Sequence, residues 1–81
     1  MKQYYLTEGL FFCQKEKNNC FSIVGYEGDT GELLIPMQIE GIPVISIGKK
    51  AFLRNRYLQH VILPDSIEQI GDWAFSGCLL L

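Results

Sequence analysis

The sequence has no apolar run approaching the roughly 20 residues that a membrane-spanning helix needs. Its first residues, Met1 to Glu8, lack the apolar stretch of about 7–15 residues found in a signal peptide. As written, the chain is therefore expected in the cytosol, or as a piece of something longer. It also lacks a basic excess: seven Lys and Arg stand against nine Asp and Glu, for a net charge of −2. Nucleic-acid binders normally carry the opposite balance, so none is expected as a partner. The one histidine, His60, has no Cys, Ser or second ligand at a spacing that would make it a base or a metal site. Catalysis, metal and cofactors are accordingly not expected. Gly28-Asp29-Thr30-Gly31 lacks the Lys-Ser/Thr and following helix of a phosphate loop, and reads as a turn. Three cysteines are an odd number for a disulfide scaffold and allow at most one internal bridge.

What the sequence does contain is enough apolar surface to fold: 48% hydrophobic and 20% charged residues over 81 positions. That is too apolar for disorder and fits one small domain, residues 1–81, with a modest core. One pattern is written twice. Ile47-Gly48-Lys49-Lys50-Ala51-Phe52 returns 23 residues later as Ile70-Gly71-Asp72-Trp73-Ala74-Phe75. Val44 and Ile67, and Leu58 and Leu81, match at the same offset. Apolar and glycine positions recur while the polar residues drift, as in the successive coils of a solenoid. Leu33-Leu34-Ile35-Pro36 resembles Val61-Ile62-Leu63-Pro64 at an offset of 28, so the first copy carries five extra residues. Glu40-Gly41-Ile42-Pro43 is the natural place for them, because Gly and Pro mark turns.

Each coil then reads as a short strand ended by proline, a second short strand and about one helical turn. Asp72 suits the N-terminus of that helical turn and Gly77 its left-handed close. Lys49 and Arg54 at the matching places predict a less well capped first copy. Gly48 and Gly71 mark the corner before the turn, where a side chain would clash or need positive φ. Ala51 and Ala74 allow close approach, and Phe52 and Phe75 should stack in the interior. Ile67 and Ile70 are candidates for burial. Ahead of the repeats, Gly9–Cys13 and Cys20–Tyr26 read as a β-hairpin over residues 9–32. It is expected to cover Val44, Ile47 and Phe52 with Leu10, Phe12, Phe21, Ile23 and Tyr26. A four-residue loop at 15–18 would set Cys13 opposite Cys20, within disulfide reach. The alternative is two reduced cysteines packed as small hydrophobes. Cys78 is expected buried and reduced.

From Leu58 to Leu81 the residues run Leu-x-x-Val-x-Leu-Pro-x-x-Ile-x-x-Ile-Gly-x-x-Ala-Phe-x-x-Cys-x-x-Leu. This resembles the BspA-like leucine-rich repeat. Residues 33–58 look like the first repeat of such an array, with its extra turn at Ile39, Gly41, Pro43 and Val44, and 59–81 like the second. The segment from Gly9 to Gly28 resembles the hairpin that often precedes them. Asn55 departs from the pattern, standing where the repeat usually has cysteine. The expected fold is mainly β with short helical turns: a right-handed leucine-rich-repeat solenoid of about two coils with an N-terminal hairpin cap. The resemblance implies a non-enzymatic protein-binding or adhesion module, part of a surface or secreted protein that meets a host or cell-surface protein.

Strand alternation locates a candidate surface. If Leu33, Ile35, Val61 and Leu63 point inward, then Leu34 and Ile62 are neighbours outside, beside Glu32, Gln59 and His60. Two exposed aliphatics with a polar rim make a plausible partner site. The competing reading is a cross-strand contact without a partner, or one with the hairpin. A second cluster, Lys49, Lys50, Arg54 and Arg56, either attracts an anionic partner or is a solvated convex face. The third feature is Leu79-Leu80-Leu81, an apolar edge with no polar cap. It suggests a truncated array or a surface for self-association.

Overall fold

The computed structural model describes residues 2–6 and 9–81. The N-terminal part is an antiparallel meander of β1 (Lys2–Leu6), β2 (Gly9–Glu16) and β3 (Cys20–Glu27). Strand β1 extends the expected hairpin by one strand, and its Tyr4 ring packs against Phe21 at 5.5 Å. Glu16 pairs with Cys20, so the loop is Lys17-Asn18-Asn19, with Asn19 in the left-handed region at φ 56°. Asn tolerates that conformation better than most residues.

This shorter loop, together with a bulge, removes the proposed disulfide. Phe12 pairs with Gly25 and Cys13 with Ile23, which leaves Val24 as the extra residue. Cys13 therefore does not face Cys20, and all three cysteines are free. The inward face of β2 also differs from the expectation: Phe11 and Cys13 enter the core, while Leu10 and Phe12 are only partly covered. On β3 the bulge lets Phe21, Ile23 and Tyr26 all reach the core side despite the odd spacing of the last pair.

The remaining strands are β4 (Glu32–Leu34), β5 (Gln38–Ile39), β6 (Ile42–Ile47), β7 (His60–Ile62) and β8 (Gln69–Ile70). Strand β6 is the hub of the larger sheet. It runs parallel to β3 on one edge and to β8 on the other, and β5 folds back onto its start. Strands β4 and β7 form a separate parallel pair. The five extra residues of the first repeat make the β5–β6 hairpin, which turns at Glu40 and Gly41 with φ of 54° and 80°. Two consecutive left-handed residues are the signature of a two-residue hairpin turn that matches strand twist.

The segments expected as helical turns are not helical, and no helix occurs among the described residues. Each is a run of three tight turns. Ala51, Leu53 and Asn55 donate to carbonyls three residues back, and so do Ala74, Ser76 and Cys78. The intervening N–H groups of Lys50, Phe52 and Arg54 donate to Asp72, Ala74 and Ser76 in the next copy. Half the donors thus leave the segment, so an i to i−4 ladder cannot form. Left-handed residues at Lys50 and Arg54, and again at Trp73 and Gly77, bend the chain between turns. Arg54 adopts the conformation that Gly77 takes 23 residues later, and Asp72 has no helix to cap.

The two copies stack closely. The Phe52 and Phe75 rings lie 5.0 Å apart and within 8° of parallel. A Cβ on Gly71 would come within 2.5 Å of the Lys49 nitrogen, and one on Gly48 within 3.1 Å of the Ile23 carbonyl oxygen. Neither glycine has positive φ, so steric approach alone requires them. The core runs from Phe11, Phe21 and Ile23 through Leu33, Ile35, Val44 and Ile47 to Phe52 and Leu58. Ile47 is 1% exposed but its counterpart Ile70 is 51% exposed, contrary to the expected burial, because no strand among the described residues lies on the far side of β8.

Candidate functional site

The outer face of β4 and β7 is built by parallel register. Glu32 lies beside His60, Leu33 beside Val61, and Leu34 beside Ile62. Leu33 is fully buried and Val61 packs on the core, so the alternate residues point outward. Leu34 is 55% and Ile62 51% exposed, and Glu32, Gln59 and His60 are exposed around them. The backbone locks the pair at both ends. Gln59 and His60 both donate to the Gly31 carbonyl, at 2.7 and 3.0 Å, and Ile35 donates to Ile62 at 3.0 Å. The Thr30 hydroxyl donates to the Glu32 carbonyl at 3.0 Å. The register therefore sets Glu32, Leu34, His60 and Ile62 side by side on one face, while the Gln59 side chain lies against Gly31 just before β7. The chemistry of that face is apolar contact with a hydrogen-bonding rim.

The C-terminal edge is also where the sequence places it. Leu79 is 86% exposed, and Leu80 and Leu81 are exposed with it. Sequence reading missed two further exposed apolar residues, Leu63 and Ile70, which line a groove of about 340 Å³ with Pro64, Ile67, Glu68 and Gln69. The signal was available, since both occupy core positions of the second copy. Cys78 is half-buried rather than buried for the same reason, and its thiol donates to the Phe52 carbonyl at 3.1 Å. Asn55, at the matching place, reaches back to the Gly28 carbonyl at 3.4 Å. Its side-chain oxygen accepts from the N–H groups of Tyr57 and Leu58 at 2.9 and 3.1 Å. The departure from cysteine thus keeps the backward tether and adds a clamp on the entry to β7.

The basic cluster has an aromatic neighbour, Trp73, that sequence reading left out. Lys49 and Lys50 place their ammonium groups 5.6 and 5.1 Å from the centre of the Trp73 ring. Burial pushes the Cys13 thiol up to about 11, which keeps it protonated and unreactive. No cluster of metal-ligating side chains occurs among the described residues, and none of them forms a helix long and apolar enough to cross a membrane.

Residues 34–81, more than half of the chain, match the family model described as BspA type leucine-rich repeat region (6 copies). The chain belongs to the BspA-type leucine-rich repeat family. Solved leucine-rich-repeat structures resemble most or all of this BspA-type chain. A leucine-rich repeat protein of T. pallidum is 35% identical with a TM-score of 0.84, over 88% of this chain and 34% of its own. A leucine-rich cell surface protein from Faecalibacterium prausnitzii is 29% identical with a TM-score of 0.80, over all of this chain and 22% of its own. A leucine-rich repeat protein from Bacteroides capillosus is 25% identical with a TM-score of 0.81, over all of this chain and 62% of its own. The chain spans between about a fifth and three fifths of the lengths of these proteins. No curated protein matches it. Membership in this family suggests a protein-interaction or surface-repeat module.

Proposed function

We propose that this BspA-type chain is a non-enzymatic adhesion or protein-binding module whose docking face is the outer side of β4 and β7. In this reading a right-handed solenoid of about two coils, repeats 33–58 and 59–81, is covered on its N-terminal side by the hairpin of residues 9–32. It presents Glu32, Leu34, Gln59, His60 and Ile62 to a host or neighbouring-cell protein. The observation that carries the reading is the pairing of Leu34 with Ile62, half-exposed on a backbone-locked strand pair. Desolvating two fixed aliphatics costs little side-chain entropy and favours association. The likeness to a cell surface protein supports a surface or secreted setting. The test is a pull-down from host extracellular protein with the wild type and with Leu34→Glu/Ile62→Glu. Recovery of one defined partner by the wild type and its loss in the variant, with circular dichroism unchanged, is expected. Equal recovery by both removes the site.

A second reading is favoured by the exposure of core positions in the second repeat. In this reading a second copy of the chain would cover the exposed Leu79, Leu80 and Leu81 edge, and with it Leu63 and Ile70. Sedimentation equilibrium of the wild type and of Leu79→Ser/Leu80→Ser decides it. A dimeric mass that falls to monomer in the variant supports self-association, and an unchanged mass eliminates it.

A further inference from the structure

We infer that the turn surface formed by Lys49, Lys50 and Trp73 is a binding site for a sulfated polysaccharide, on a part of the molecule separate from the β4–β7 face. Trp73 is 61% exposed and takes no part in the core. It sits at φ 60°, as its counterpart Lys50 sits at φ 61°, so the fold demands a left-handed residue at this place in both copies. Glycine or asparagine would satisfy that demand with less strain than a bulky indole. The tryptophan is thus poorly explained by folding, and residues held in such conformations cluster at ligand sites.

Its surroundings name the ligand chemistry. Four of the seven basic residues of a chain with net charge −2 lie between Lys49 and Arg56. Two of them hold ammonium groups at one indole ring. Arg54 runs alongside the second copy, its Cγ 3.0 Å from where a Cβ on Gly77 would sit. Asp72 is the acidic residue of this strip. Its backbone carbonyl accepts from Lys50 at 3.1 Å, which ties the lysine turn to the tryptophan turn. The close approach of Gly71 to Lys49 fixes the same spacing. The result is a largely exposed indole with two ammonium groups over its ring. A sulfated pyranose would draw those ammonium groups onto its sulfates and take their place over the electron-rich ring with its C–H groups. An acidic peptide has the charges without the flat C–H face. A single-stranded nucleic acid could stack one base, but it needs a longer basic track and more aromatic platforms than this chain supplies.

Trp73 is the sole tryptophan, so its fluorescence reports on the site directly. Titration of the chain with a heparin octasaccharide should shift or quench that emission to saturation, and binding should weaken as salt rises. Lys49→Gln/Lys50→Gln should bind about tenfold more weakly. Trp73→Gly, which relieves the backbone and should fold, should show a comparable loss by calorimetry. Three results would each overturn the site: unchanged binding by either variant, equal binding of desulfated heparin, or equal binding of oligothymidylate or poly-glutamate of matched charge.

Discussion

Gly48 and Gly71 hold the same place in successive repeats but answer to different neighbours. A methyl group on Gly71 would drive into the Lys49–Gly48 backbone at 2.5–2.9 Å, where nothing flexible can yield. On Gly48 it would press on the Ile23 carbonyl and the Val24 side chain at 3.1–3.2 Å, which a small shift relieves. Gly71→Ala should therefore cost about 3 kcal/mol and Gly48→Ala about 1 kcal/mol, from the overpacking range. Urea denaturation checks this, and equal losses would contradict the stacking. Cys13 supplies a pH effect. Folded, its thiol holds its proton to about 11, against an ordinary value of 9.0. Its contribution is fully present below pH 9 and is lost as pH rises through 11, because the unfolded chain releases its proton first. The urea midpoint should fall across that window, and less so in Cys13→Ala. At neutral pH, iodoacetamide should modify half-buried Cys78 before Cys13, as mass spectrometry of digested fragments would show.

Among the elements, the β5–β6 hairpin carries a visible compromise. Glu40 adopts φ 54° in a turn where asparagine before glycine is preferred. Glu40→Asn should raise stability by about 0.5–1 kcal/mol by relieving that strain, read from the urea midpoint. The same hairpin was legible in sequence, because an offset of 28 at Pro36 and Pro64 against 23 at Gly48 and Gly71 left five residues to place. So was the outer face of β4 and β7, from alternation across Leu33-Leu34-Ile35 and Val61-Ile62, although Leu63, expected inward by the same alternation, is 39% exposed. The register of β2 on β3 was not legible. It depends on a three-residue loop and an unpaired Val24, and neither leaves a mark that alternation can detect. The turns at 49–54 and 72–77 misled for a related reason. Ala-Phe flanked by polar residues has helical spacing, and only the neighbouring copy diverts the alternate N–H groups. Strand β1 carries just Tyr4, Tyr5 and Leu6 as its signal.

At a larger scale, the first repeat is sandwiched between the meander and the second repeat, and among the described residues the second has a neighbour on one side. Burial follows position in that stack more closely than residue type: Leu58 is buried while Leu81 is exposed, and Phe52 is buried while Phe75 is half-covered. The alternating hydrogen bonds of residues 50–55 carry a further consequence. Lys50, Phe52 and Arg54 can release their amide protons to solvent only when one repeat lifts off the next, whereas Ala51, Leu53 and Asn55 need only a local turn to open. Deuterium uptake followed by NMR should therefore rise and fall residue by residue along this segment, slow at the even numbers and fast at the odd ones. The slow set should share a single opening free energy, which would measure how firmly one layer of the stack grips the next.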